Sequence, residues 1–206
     1  MITIVDYGMG NLNSVKNMLK RIGVPARIAS DPASIESAEK LILPGVGAFD
    51  PAMRKIRDAG LGEPLRAKAR EGKTPILGIC LGMQLLTEGS DEGTEPGFGW
   101  IPGRTRAFRG RIPDALKIPH MGWNETDLKR SSPLVAGLET GARFYFVHSY
   151  YVDCAEAADR VMTTRYGIDF DSVVQRGNIY GAQFHPEKSH RFGMRLLKNF
   201  SEIAPC

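Results

Sequence analysis

The string Thr74-Pro75-Ile76-Leu77-Gly78-Ile79-Cys80-Leu81-Gly82-Met83-Gln84-Leu85-Leu86 constrains this chain more than any other. Pro75 to Ile79 reads as a short buried strand, and the spacing predicts a helix from near Leu81. Cys80 falls at the turn between them. A strand that passes so abruptly into a helix strains the backbone of its apex residue and turns that side chain outward. Gly78 and Gly82 flank Cys80 two residues away on either side, where a Cβ would collide across the turn. This is the pattern of a nucleophile elbow with cysteine in the nucleophile's place. The amino end of the following helix offers N–H groups and partial positive charge, which favour an anion at sulfur or on an acyl oxygen. Taken alone, Cys80 also reads as a small buried hydrophobe closing a strand, since free cysteine is among the most buried residue types. The glycine frame favours the nucleophile.

An elbow needs a sheet behind it. Ile2 to Val5 reads as a buried strand, followed by the loop Asp6-Tyr7-Gly8-Met9-Gly10-Asn11. A helix carrying Val15, Met18, Leu19 and Ile22 then stops at Gly23-Val24-Pro25. Gly8 and Gly10 do not complete a dinucleotide fingerprint, because Asn13 stands where the third glycine belongs. Strands are expected at Arg27 to Ala29 and Lys40 to Leu43. Pro44-Gly45-Val46-Gly47 follows as a loop that either turns the chain or presents N–H groups to a ligand. Asp50 and Pro51 read as the N-cap and first residue of a helix through Ala59. Another helix spans Glu63 to Glu71. This alternation predicts an α/β fold with a mostly parallel central sheet and flanking helices.

After Gly89, glycines and prolines crowd a loop-rich stretch. Short strands are expected at Trp100 to Ile101, Thr105 to Phe108, Arg143 to Val147, Arg160 to Tyr166, Asp171 to Gln175 and Ile179 to Gln183. Arg176-Gly177-Asn178 reads as a hairpin turn. The C-terminal half therefore adds antiparallel strands, and Ser189 to Ile203 closes the chain as an amphipathic helix. One domain over 1–206 is expected, since no linker or compositional break appears.

Composition narrows the function classes. A net charge of +4, spread along 206 residues, is not the concentrated basic face of a nucleic-acid binder. Cys80, Cys154 and Cys206 are the 3 cysteines, widely separated, which suits neither a disulfide framework nor a zinc site. No apolar run approaches the roughly 18 residues of a membrane span. The chain opens on a strand without a basic leader, so a cytoplasmic location is expected.

A nucleophilic thiol needs a base, and the base needs an orienting acceptor. His185 follows an apolar strand and precedes Pro186 and Glu187. Proline biases the residue before it to extended geometry, and residues two apart in extended chain share a side. Glu187 can then hold one imidazole nitrogen while the other faces Cys80. The same three residues alone also suit a polar turn after an edge strand. His148 ends a strand and serves either the site or that strand end. His190 reads as a surface residue, and His120 sits in Ile118-Pro119-His120-Met121-Gly122-Trp123-Asn124 with no spacing that argues for catalysis.

The exact strings go further. Pro44-Gly45-Val46-Gly47, Gly78-Ile79-Cys80-Leu81-Gly82-Met83-Gln84 and Gln183-Phe184-His185-Pro186-Glu187 together resemble the class I (triad) glutamine amidotransferases. The loop 6–11, the segment 118–124 and Phe144-Tyr145-Phe146-Val147-His148-Ser149-Tyr150 narrow the resemblance to its glutaminase subunits of imidazole glycerol phosphate synthase, in histidine biosynthesis. The likeness covers essentially the whole chain. It implies a Cys80, His185 and Glu187 triad that hydrolyses glutamine through a thioester. It implies an oxyanion hole from Leu81 and the Val46–Gly47 backbone, and glutamine binding by Gly45, Gln84, Glu92, His148, Ser149 and Tyr150. It implies contacts from Asn11, Trp123 and Lys188 to a (β/α)8-barrel cyclase subunit that consumes the ammonia. No metal or organic cofactor is implied. Rival readings are a glutaminase serving pyridoxal phosphate or anthranilate synthesis, a stand-alone cysteine hydrolase, and a binding module with a vestigial elbow.

Overall fold

Strand β1 (Ile2–Val5) is buried along its whole length, as are β3 (Lys40–Gly45) and β4 (Ile76–Cys80). Strands so uniformly buried need cover on both faces. The computed structural model, which describes residues 1–138 and 140–204, supplies it; Cys206 lies outside the described residues. On one face, Ile2, Ile4, Ile42, Leu77 and Ile79 pack with Val15 and Leu19 of helix α1 (Leu12–Arg21) and with Leu196, Leu197 and Phe200 near the C-terminus. On the other, Val5, Leu41, Leu43 and Ile76 pack with Phe49 and Ile56 of α3 (Phe49–Asp58) and Leu65 of α4 (Gly62–Glu71). Alternate residues of one strand thus feed two cores.

The remaining strands are β2 (Ala26–Ala29), β5 (Gly103–Ala107), β6 (His120–Glu125), β7 (Asp127–Leu128), β8 (Arg143–His148), β9 (Tyr150–Cys154), β10 (Arg160–Tyr166), β11 (Ile168–Arg176) and β12 (Ile179–Ala182). Among the described residues, ten strands form one sheet in the order β2-β1-β3-β4-β12-β11-β10-β7, with β9 beside β11 and β5 beside β9. The five strands from β2 to β12 run parallel. The other pairings of this sheet are antiparallel. Strands β6 and β8 form a separate antiparallel ribbon. The α/β class and the antiparallel additions of the C-terminal half are as the sequence leads one to expect.

Several local expectations are corrected. Helix α3 starts at Phe49 with Ala48 as its N-cap, not at Asp50 and Pro51. The Asp50 carboxylate accepts instead from the backbone of Thr94 and Glu95, at 3.0 Å each. Trp100 to Ile101 is not a strand; the Trp100 ring stacks on Phe98 at 4.2 Å. The helix after the elbow, α5, is the single turn Leu81–Gln84. Four elements were not foreseen: α2 (Pro32–Glu36), β6, β7 and β9. Helix α6 (His190–Glu202) closes the chain.

Candidate active site

Cys80 is the last residue of β4, held at φ 54° and ψ −111°. Only glycine adopts such a backbone without strain, so neighbouring packing must hold Cys80 there. The close approach of α5 to the sheet does this. A Cβ on Gly78 would lie 2.6 Å from the Gly82 carbonyl oxygen, and one on Gly82 would overlap the Leu43 carbonyl of β3. Because α5 is one turn long, the elbow offers local N–H groups rather than the dipole of a long helix.

Strand β12 lies beside β4 and parallel to it, with Ala182 opposite Ile79. Their carboxyl ends therefore reach the same sheet edge, where open α/β sheets place their sites. His185 follows β12 by three residues and is 3 % exposed. Its Nδ1 lies 2.8 Å from Glu187 Oε1, whose side chain is also 3 % exposed. The expected route to this contact was extended chain. The structure uses a 3-10 turn, Pro186–Lys188, which folds the carboxylate back to the ring's Nδ1. The backbone of His185 is pinned by its N–H to the Tyr145 carbonyl, 2.9 Å, and by the Ser189 hydroxyl to its own carbonyl, 2.6 Å.

The other imidazole nitrogen, Nε2, is buried and makes no hydrogen bond of normal geometry. The Cys80 sulfur nonetheless acts on it. Burial pushes the imidazole pKa down, but the pull of Cys80 and then of Glu187 outweighs burial and raises it to about 10. Cys80 Sγ also receives a long contact, 3.8 Å, from Gln183 Nε2.

Cys80, Leu81 and His185 open on a pocket of about 320 Å³. Val46 and Gly47 form one side, Gln84 and Glu92 another, and His148, Ser149 and Tyr150 a third. Gly45 pairs with Cys80 across the strands and lies behind the lining, as does Glu187. Gly47 takes φ +108° and Val46 is 44 % exposed, so this loop stands free of the core. The Gln84 amide donates to the Tyr150 carbonyl at 3.0 Å and to Gln183 Oε1 at 3.2 Å. Glu92 Oε2 accepts from the Phe49 N–H at 2.9 Å and so caps α3 while facing the pocket. A second pocket of similar size, between α3, α4 and Phe98, contains neither Cys80 nor His185.

Asn11, Trp123 and Lys188 lie outside the pocket. Asn11 is exposed and caps α1 through Ser14 N at 3.4 Å. Trp123 is 46 % exposed and stacks on His190 at 5.4 Å, and Lys188 lies over the Tyr145 ring.

Residues missed at the sequence level also converge here. The buried Tyr7 hydroxyl donates to the Pro44 carbonyl at 2.7 Å, just before the Gly45–Gly47 loop. Burial, and then the nearby Cys80, raise its pKa beyond the ordinary phenol range. His120 belongs to β6 and touches His148. The period-two apolar and polar alternation of His120 to Glu125 was the available signal, interrupted by Gly122.

A family model for glutamine amidotransferase class-I matches residues 3–203. The chain belongs to that family. Curated relatives agree. Imidazole glycerol phosphate synthase subunit HisH of Bdellovibrio bacteriovorus is 50 % identical over 205 residues, covering 98 % of this chain and 100 % of its own. Imidazole glycerol phosphate synthase subunit HisH 2 of Methanococcus maripaludis is 52 % identical over 204 residues, covering 99 % and 100 %. Among solved structures, a glutamine amidotransferase superposes with a TM-score of 0.77 at 20 % identity, covering 98 % of each chain. PurLQS from Thermotoga maritima gives 0.72 at 19 % identity, over 97 % and 96 %. These two likenesses concern the fold.

Proposed function

We propose that this chain is the glutaminase subunit of an imidazole glycerol phosphate synthase, working in histidine biosynthesis beside a (β/α)8-barrel cyclase subunit. The carrying observation is the strained Cys80 facing, across one pocket, an imidazole held from behind by Glu187. The named relatives, near half identical over their full length, support the choice of synthase.

In the reaction, the Cys80 proton already rests on His185 Nε2, as the raised imidazole pKa favours, and the thiolate attacks the side-chain amide carbon of glutamine. The carbonyl π pair moves onto oxygen, and the Leu81 N–H and the Val46–Gly47 backbone receive that oxyanion. Collapse expels the amide nitrogen, which takes the proton from His185 and leaves as ammonia. A γ-glutamyl thioester remains on Cys80. Water, deprotonated by His185, attacks the thioester, releasing glutamate and returning the thiol its proton. Glu187 orients the ring throughout and stabilises its charged form. Gln84, Glu92 and the His148–Tyr150 backbone hold the amino-acid end of glutamine, and Gly45 supports the loop from behind the pocket wall.

Asn11, Trp123 and Lys188 are assigned to the cyclase contact, which makes the working unit a cytoplasmic heterodimer that passes ammonia between subunits. The test pairs the chain with a barrel subunit and compares two nitrogen sources. Cys80→Ala should abolish glutamine-dependent synthesis and leave ammonia-dependent synthesis intact. Loss of both would show that Cys80 only supports the fold. Glutamine hydrolysis that no barrel subunit accelerates would favour a stand-alone hydrolase.

A further inference from the structure

The pocket wall at Ser149 is a place where the chain changes sheets. Strand β8 pairs with β6 in the small ribbon, and β9 pairs with β5 and β11 in the large sheet. Ser149 alone separates them. At this bend the Ser149 carbonyl stays tied to the loop after β5 by the Phe108 N–H at 3.1 Å, and side chains hold the neighbouring Tyr150 carbonyl.

Two side chains converge on the Tyr150 carbonyl. Gln84 reaches it from the elbow at 3.0 Å, and His148 Nδ1 folds back to it at 2.7 Å. His148 Nε2 lies 3.0 Å from His120 Nδ1, and His120 Nε2 lies 3.2 Å from Asn124 Nδ2. Both rings are buried. Burial pushes both imidazoles down, His120 to about 4 and His148 to about 3, so each carries one ring proton at pH 7.

The polarity of this row is set from both ends. Asn124 Oδ1 accepts from the Glu125 N–H at 2.8 Å, and Asn124 Nδ2 donates to the Arg165 carbonyl at 3.0 Å. Its amide orientation is therefore decided by backbone, and its remaining N–H donates to His120 Nε2. A neutral His120 then carries its proton on Nδ1 and donates to His148 Nε2. A neutral His148 in turn carries its proton on Nδ1, the tautomer the Tyr150 carbonyl requires. Reversing any one bond would set two lone pairs or two protons against each other.

We propose that His120 is a positioning residue for glutamine: it donates to His148, which pins the Ser149 kink and so shapes the wall the substrate's amino-acid end meets. The proposal rests on the reading above that this wall faces glutamine. It also ties that wall to β6, which carries the exposed Met121 and Trp123 on its outer side.

Two variants separate the hydrogen bond from packing. His120→Phe keeps a ring between Phe146 and Tyr166, which stack on His120 at 4.8 Å and 4.1 Å, but has no donor. His120→Asn loses the stack and keeps an N–H near the Nδ1 position. In glutamine hydrolysis by the chain with its barrel subunit, His120→Phe should raise KM about tenfold, the effect of one buried hydrogen bond, with kcat changed less than about threefold. His120→Asn should stay within about threefold of the wild-type KM. Nitrogen NMR of the wild type should show His148 protonated on Nδ1. An unchanged KM in His120→Phe, a larger KM in His120→Asn than in His120→Phe, or a His148 protonated on Nε2 would each overturn the relay. A wild-type chain that never hydrolyses glutamine would overturn the functional reading first, and the NMR result would still stand apart from it.

Discussion

Replacing Cys80, the proposed nucleophile, by glycine should give a more stable protein than replacing it by alanine, and both variants should be inactive. The reason is the backbone at residue 80, φ 54° and ψ −111°. An L-residue there bears steric strain of about 1–3 kcal/mol. Cys80→Ala keeps the Cβ and keeps the strain. Cys80→Gly removes both, at the cost of about 0.5–1 kcal/mol for glycine's greater freedom in the unfolded chain. The net gain of glycine over alanine is about 0–2.5 kcal/mol by the same figures. For a chain of this size that is roughly 2–4 °C in melting temperature per kcal/mol. Urea titration followed by circular dichroism, with equal m-values as a check that the unfolded states match, gives the difference directly. If Cys80→Gly unfolds at lower urea than Cys80→Ala, by the ordinary glycine penalty, the elbow is not strained and the argument for its tight packing fails.

Two further outcomes follow from the same geometry. His185, raised to about 10 in the folded chain against about 6.5 unfolded, adds stability that is complete below pH 6.5 and fades as pH rises through about 10. Glu187→Gln should lower the His185 pKa seen by NMR and flatten the fall of the urea midpoint between neutral and alkaline pH; an unchanged titration would mean the carboxylate does not act on the ring. Tyr7→Phe removes the 2.7 Å bond to the Pro44 carbonyl and should cost about 0.5–1.5 kcal/mol in urea unfolding. It should also lower kcat more than it raises KM, because it loosens the strand before the loop proposed to receive the oxyanion; steady-state kinetics with both parameters unchanged would remove Tyr7 from that role.

The elbow was legible because its rules act within a few residues: the glycines at 78 and 82 and the cysteine between them interact across one turn. The same holds for His185 and Glu187, two residues apart, even though the turn joining them is 3-10 rather than extended. The Asp50 cap was misread because its acceptors are taken by Thr94 and Glu95, a loop whose proximity no local pattern records.

What the amino-acid order decided unaided was therefore which residues stand at each sheet edge and the α/β class, since strand burial and turn sterics are local. What tertiary structure decided was which edges meet. The parallel pairing of β12 with β4 brings His185 to Cys80, and the antiparallel pairing of β6 with β8 sets His120 opposite His148. Register between distant strands is chosen by the packing of two whole cores against the sheet, a sum over many side chains that no short string contains.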